Sequence, residues 1–162
     1  MNKALLAITT LALLGGCGQK TETPDRTVQQ LMADIVQPTA DIYWKSVQWI
    51  SDEEGMHEIV PKTDADWQRV RDAAVKLQEL AVLLQQPAYS QDRGEDWMQI
   101  SQSLAEVGEL AEQAAVEKDV DKVFEVGGTI YNVCTACHQI YPATTGPEAE
   151  EAAQAGGAPA GS

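Results

Sequence analysis

Apolar residues recur along most of this chain at alternating steps of three and four, the spacing that sets side chains on one stripe of an α-helix. Four segments carry the pattern. The first runs Val28, Met32, Ile35, Thr39, Ile42 and Trp49, with a polar step at Ser46. The second runs Trp67, Val70, Ala74, Leu77, Ala81 and Leu84, and the third Trp97, Ile100, Leu104, Val107, Ala111 and Ala114. The fourth runs Val120, Val123, Gly127, Ile130, Cys134 and Cys137. Thr23-Pro24-Asp25 reads as the start of the first helix, with Thr as cap, Pro at the first helical position and an acid facing the helix dipole. Pro38 falls inside the first stripe and should kink or split that helix. Ser51 to Pro61, which contains Gly55, reads as a loop. The second helix opens at Thr63 or Asp64 and ends before Pro87, the third follows Gly94, the fourth opens near Asp119, and Pro142 ends it. Four amphipathic helices on short connections predict an all-α fold, an antiparallel up-down-up-down four-helix bundle over residues 24–141.

The two ends read differently. After Asn2-Lys3, Ala4 to Leu14 is uncharged and mostly apolar. That stretch is too short for a membrane-spanning helix, which needs about 20 residues, and fits the apolar region of an export signal. Leu14-Gly15-Gly16-Cys17 closes it and resembles the lipobox of bacterial lipoproteins. The resemblance implies cleavage before Cys17 and acylation of that cysteine. Residues 1–16 are then a lipoprotein signal peptide and 17–23 a lipidated tether. The domain is expected on the periplasmic side of a bacterial membrane, held on the lipid bilayer by several acyl chains. Residues 142–162, rich in Ala, Gly, Glu and Pro, read as a disordered tail.

Composition narrows the function classes. The chain has 162 residues, of which 44% are hydrophobic, enough for one core. Its net charge of −14, from 25 acidic and 11 basic residues, argues against nucleic acid as a partner, because phosphate binding needs a concentrated basic surface. An acidic surface serves solubility, and in a functional role would dock on a basic patch of a redox partner.

One motif carries chemistry: Cys134-Thr135-Ala136-Cys137-His138. Two thiols three residues apart can each add to one vinyl group of a single haem. His138 lies four residues from Cys134, so all three groups project to a common side of the helix and its imidazole becomes the axial iron ligand. A zinc half-site would need a second pair of ligands, and His57 is the only other histidine. A thioredoxin-like dithiol would sit at a strand-to-helix turn, whereas this motif falls late in a helix. Two buried structural cysteines would be unusual in an exported protein, where thiols oxidise. The three cysteines are then all assigned, Cys17 to lipid and Cys134 and Cys137 to haem. Because both haem cysteines continue the fourth stripe, the cofactor would enter the bundle interior.

The arrangement resembles the class II cytochromes c, the cytochrome c′ family, in lipoprotein form. The closest local match runs from Ala114 to His138, where Asp119-Val120-Asp121-Lys122-Val123 opens the last helix before the haem motif. The chain departs from many members in having Tyr141 and then Pro142, where a basic residue would follow an aromatic. The resemblance implies one covalent haem c and either of two functions. With methionine at the sixth iron position, the protein transfers single electrons. With that position empty, it is five-coordinate and binds nitric oxide or carbon monoxide.

In an antiparallel bundle the fourth helix ends where the first begins, so Met56 and His57, in the first connection, are about 30 Å from the haem for helices of 20 residues. Met32 and Met98 remain as candidates. Met32 lies on its helix stripe and is preferred, whereas Met98 is one position off. The reading is therefore a His138/Met32 electron carrier rather than an enzyme, since no distal acid-base group, nucleophile-base pair or phosphate loop is evident. A tether of 17–23 reaches about 20 Å, which would bring the haem end to a membrane-associated redox partner. The resemblance also raises a homodimer through the first two helices, for which Tyr43 and Trp44 would serve unless they pack inward.

Overall fold

The computed structural model describes residues 25–143. The expected signal peptide, the tether with Cys17, the Thr23-Pro24 cap and the tail from residue 144 onward lie outside them. The chain is mostly helical, with one small two-stranded sheet. In order it forms α1 (Val28–Leu31), a π-helical turn (Met32–Val36), α2 (Gln37–Trp44), β1 (Gln48–Asp52), β2 (Gly55–Ile59), α3 (Asp64–Leu84), α4 (Pro87–Ser90), α5 (Gly94–Glu117) and α6 (Val120–Ile140). None of the described helices is long and apolar enough to cross a membrane.

The first helical run departs from the expected pattern in three ways. It begins at Thr27, which caps the Gln30 amide at 3.2 Å while the Gln30 side chain accepts from the Thr27 amide at 3.0 Å. Residues 25 to 27 are non-helical, so Asp25 lies ahead of α1 and not in its first turn. Second, the chain passes through a π turn just before Pro38, with the Gln37 amide bonded to the Met32 carbonyl. Proline has no N–H and its ring clashes with the carbonyl four residues back, so a widened turn ahead of it relieves both problems. Third, the turn inserts one residue into the stripe. The buried apolar positions are Leu31, Val36, Ala40, Tyr43 and Val47, a step of five followed by fours and threes; Thr39 of the expected stripe is buried as well, and Ile42 is left 44% exposed.

The segment read as a loop is partly a β-hairpin. β1 and β2 pair antiparallel, with Gln48 opposite Ile59 and Asp52 opposite Gly55. The Asp52 carboxylate accepts from the Glu54 amide at 2.9 Å, and Gly55 takes a φ of +123° that favours glycine. Trp49 therefore sits on a strand, 41% exposed, with its ring edge-on to Phe124 at 4.6 Å.

The remaining stripes are where the spacing put them. Thr63 caps α3 in a reciprocal box with Asp66, and Asp119 caps α6. All six expected α3 positions, from Trp67 to Leu84, are buried. Arg71 pairs with Glu112 at 2.8 Å, Gln78 donates to the Gly108 carbonyl at 3.1 Å, and the Trp97 indole donates to the Leu84 carbonyl at 2.7 Å. Partners rise along α3 as they fall along α5, so the two helices are antiparallel. α6 packs on α5, and α2 packs on both α3 and α6. Tyr43 is buried and Trp44 half-buried, with the Trp44 indole donating to the Gly127 carbonyl at 2.9 Å. Both aromatics therefore pack inward. One part of the core gathers round Tyr43, Leu77, Val123 and Ile130. A second gathers Leu31, Val36, Leu84 and Trp97 at the other end from the hairpin.

Candidate functional site

α6 carries the cysteines from the first cluster, against which Cys134 packs, toward this second end. Val123, Gly127 and Ile130 are buried, and the same four-and-three stepping continues to Cys134 and Cys137, which are half-buried. Buried positions give way to half-buried ones because a cavity opens there. About 560 Å³ in volume, it falls within the roughly 300–1,000 Å³ of small-molecule and cofactor sites. Cys134, Cys137 and His138 line it from α6, Met32, Val36 and Ala40 from the first helical run, and Trp97, Ile100 and Leu104 from α5. Its walls are mainly apolar.

The end of α6 is tied down. The Tyr141 amide donates to the Cys137 carbonyl at 2.8 Å. The Tyr141 hydroxyl donates to the Arg93 carbonyl at 2.5 Å, and its ring stands edge-on to Trp97 at 5.1 Å. Trp97, 2% exposed, is held in turn by its bond to the end of α3. These contacts fix the Cys-x-x-Cys-His segment against α5.

Burial pushes the Cys134 thiol up to about 11, with the neighbouring Cys137 adding to the shift. Burial also raises Cys137, and the Arg93 charge opposes that rise. Both thiols are thus protonated at neutral pH, the form in which S–H adds across a carbon–carbon double bond without an external oxidant. His138 is exposed at the cavity edge. Among the described residues, no group of three or more His, Cys, Asp or Glu side chains is placed to hold a metal ion with protein donors alone.

The structure thus brings together Cys134, Cys137, His138 and Met32, which come from opposite ends of the described chain. Met98 is 38% exposed and does not line the cavity. Met56 is 73% exposed on β2, and His57, also on β2, pairs with Asp52 at 3.0 Å. The spacing missed Arg93 and Tyr141. Among the described residues Arg93 is the only lysine or arginine lining the cavity, and its guanidinium carbon lies 4.4 Å from the centre of the Trp97 ring. No local sequence pattern marks Arg93 as a cavity residue. Comparison with protein-family models, curated proteins and solved structures found no match.

Proposed function

We propose that this chain is a c-type cytochrome, a four-helix bundle that carries one covalently attached haem c and transfers single electrons. What supports the reading is that Cys134, Cys137, His138 and Met32 line one apolar cavity of cofactor size. The residues fit the group. Cys134 and Cys137 would hold it through thioethers, His138 would supply the proximal imidazole, and Met32, from the first helical run, would supply a thioether sulfur. When bound, the group supplies one-electron redox chemistry. Ile100, Leu104 and Trp97 would give the group apolar surroundings, and Met32 would favour its reduced state, because a methionine partner to histidine raises the reduction potential. No step requires a nucleophile or a proton-transfer residue, so the protein would not be an enzyme.

Acylation at Cys17 would hold the domain on the periplasmic face of a membrane, with a membrane-associated redox protein as partner. The acidic surface suits a basic docking patch and not nucleic acid. The visible spectrum of the matured protein tests the proposal. Wild type should be low-spin, and Met32→Ala high-spin and able to bind carbon monoxide when reduced. An unchanged spin state in Met32→Ala would remove Met32 as ligand. A wild type that is already high-spin and binds carbon monoxide would favour a five-coordinate gas-binding protein. Colourless protein, or haem lost to acidic acetone, would end the cofactor reading.

A further inference from the structure

The cavity is mainly apolar, yet a haem brings two carboxylates with it, and burying a carboxylate without a partner is costly. Among the described residues the cavity wall holds one lysine or arginine, Arg93. Among the described residues this guanidinium is not committed elsewhere. In a chain with 25 acidic residues, Arg93 has no carboxylate partner among the described residues. Although it stands at the cap position of α5, its side chain makes no capping bond. Its one described contact is the stack on Trp97 at 4.4 Å, which orients a flat fork and leaves its N–H edge open. The backbone beneath it is fixed by the Tyr141 hydroxyl.

We infer that Arg93, stacked on Trp97 at the cavity wall, is the residue that pairs with a carboxylate of the bound tetrapyrrole. The inference rests on the haem reading above. A guanidinium matches a carboxylate with two parallel hydrogen bonds, and a stacked, pre-oriented fork loses little freedom in making them. Arg93 therefore sets which way round the macrocycle lies, with its propionate side toward the α4–α5 connection, before either thiol reacts.

Mesohaemin tests this, because it has ethyl groups in place of vinyls and so binds reversibly without thioether formation. The full apoprotein, with its thiols kept reduced, is titrated with mesohaemin and with its dimethyl ester, which has no free carboxylate. We expect Arg93→Gln to weaken mesohaemin binding about tenfold, or 1.4 kcal/mol, and to leave ester binding within about twofold. Arg93→Lys, which keeps the charge and loses the fork, should fall between. Helical circular dichroism checks that each variant folds, and Arg93→Lys carries the comparison if Arg93→Gln does not. An equal loss for both ligands, or no loss for either, overturns the role of Arg93 and leaves the cofactor reading intact. Failure of the wild type to bind either porphyrin overturns that reading and this inference with it.

Discussion

The α5 wall of the cavity stands on a close approach of α5 to α3, which Gly108 tests, with Gly128 on α6 as the open-space comparison of opposite expected sign. Gly108 is buried on α5, where a Cβ would lie 2.6 Å from the Gln78 Cγ and 3.3 Å from the Gln78 backbone nitrogen. Cγ is anchored one bond from Cβ, so it cannot swing aside without moving Gln78, whose amide donates to the Gly108 carbonyl. Overpacking of this kind costs about 1–3 kcal/mol, and losing the hydrogen bond adds roughly 1 kcal/mol. Alanine returns about 1 kcal/mol through helix propensity. Gly108→Ala should therefore destabilise the fold by about 2 kcal/mol, a fall in Tm of roughly 6–10 °C for a domain of this size. Gly128, on α6, is exposed, and a Cβ there meets nothing within 4 Å. Gly128→Ala should gain about 1 kcal/mol from the same propensity, with no steric charge against it. Urea unfolding of the wild type and both variants, followed by circular dichroism, measures the pair. If both substitutions stabilise, the α3–α5 approach is looser than described and the walls of the cavity are misplaced. The double variant Gly108→Ala with Gln78→Ala should recover much of the loss, because the obstructing Cγ is gone.

The Trp97→Phe variant keeps an aromatic ring but leaves the Leu84 carbonyl without its 2.7 Å donor, so it should lose about 1–3 kcal/mol in the same unfolding assay; a loss within 0.5 kcal/mol would mean, by about the usual surface-mutation range, that the bond does not hold α3 to α5. In the apoprotein, the Cys134 thiol rises from the ordinary 9.0 to about 11, which lowers its thiolate fraction at pH 8 roughly a hundredfold, partly offset by about tenfold higher thiolate nucleophilicity. It should react with an aromatic disulfide reagent about tenfold more slowly than in urea, at a rate still climbing above pH 10, and a plateau near pH 9 would contradict the burial. The sign for stability follows: a raised thiol pKa contributes stability present below about 9 and lost as pH rises through about 11.

The elements most legible in the sequence are those whose caps and stripes agree. Thr63 and Asp119 mark helix starts because their side chains satisfy orphan amide donors there, Gly94 marks one because its positive φ turns the chain into α5, and the stripes of α3, α5 and α6 are buried or half-buried as their spacing requires. The hairpin was hidden for the complementary reason. Both its strands are largely exposed, so no alternation of buried and polar residues reveals them, and only Asp52 and Gly55 at the turn mark it. Trp49 was drawn into the first helical stripe by its spacing alone, although it packs on Phe124 from a strand. Arg93 was invisible for another reason. It is neither on a stripe nor in a motif, and its relevance comes from where α5 begins relative to Cys137, a long-range fact that no local pattern contains.

The π turn explains how one helical run can serve both the core and the cavity. Val28, Met32, Val36 and Ala40 all line the cavity at steps of four. In an unbroken α-helix of 3.6 residues per turn, twelve residues advance the side-chain direction by about 120° beyond whole turns, which would carry Ala40 away from the wall that Val28 begins. One additional residue accommodated in a widened turn removes about 100° of that drift and leaves roughly 20°. The four side chains then form one nearly straight wall. Pro38 is what makes the wide turn favourable, since an ordinary α-helical turn would set its ring against the carbonyl of Asp34. The same residue that disrupts the three-and-four pattern thus straightens the face that carries Met32. Leu31 and Val36, five apart, meanwhile both remain buried against Leu84 and Trp97. Met32 is presented to the cavity opposite the α6 motif as a result of backbone geometry, independently of what the cavity holds.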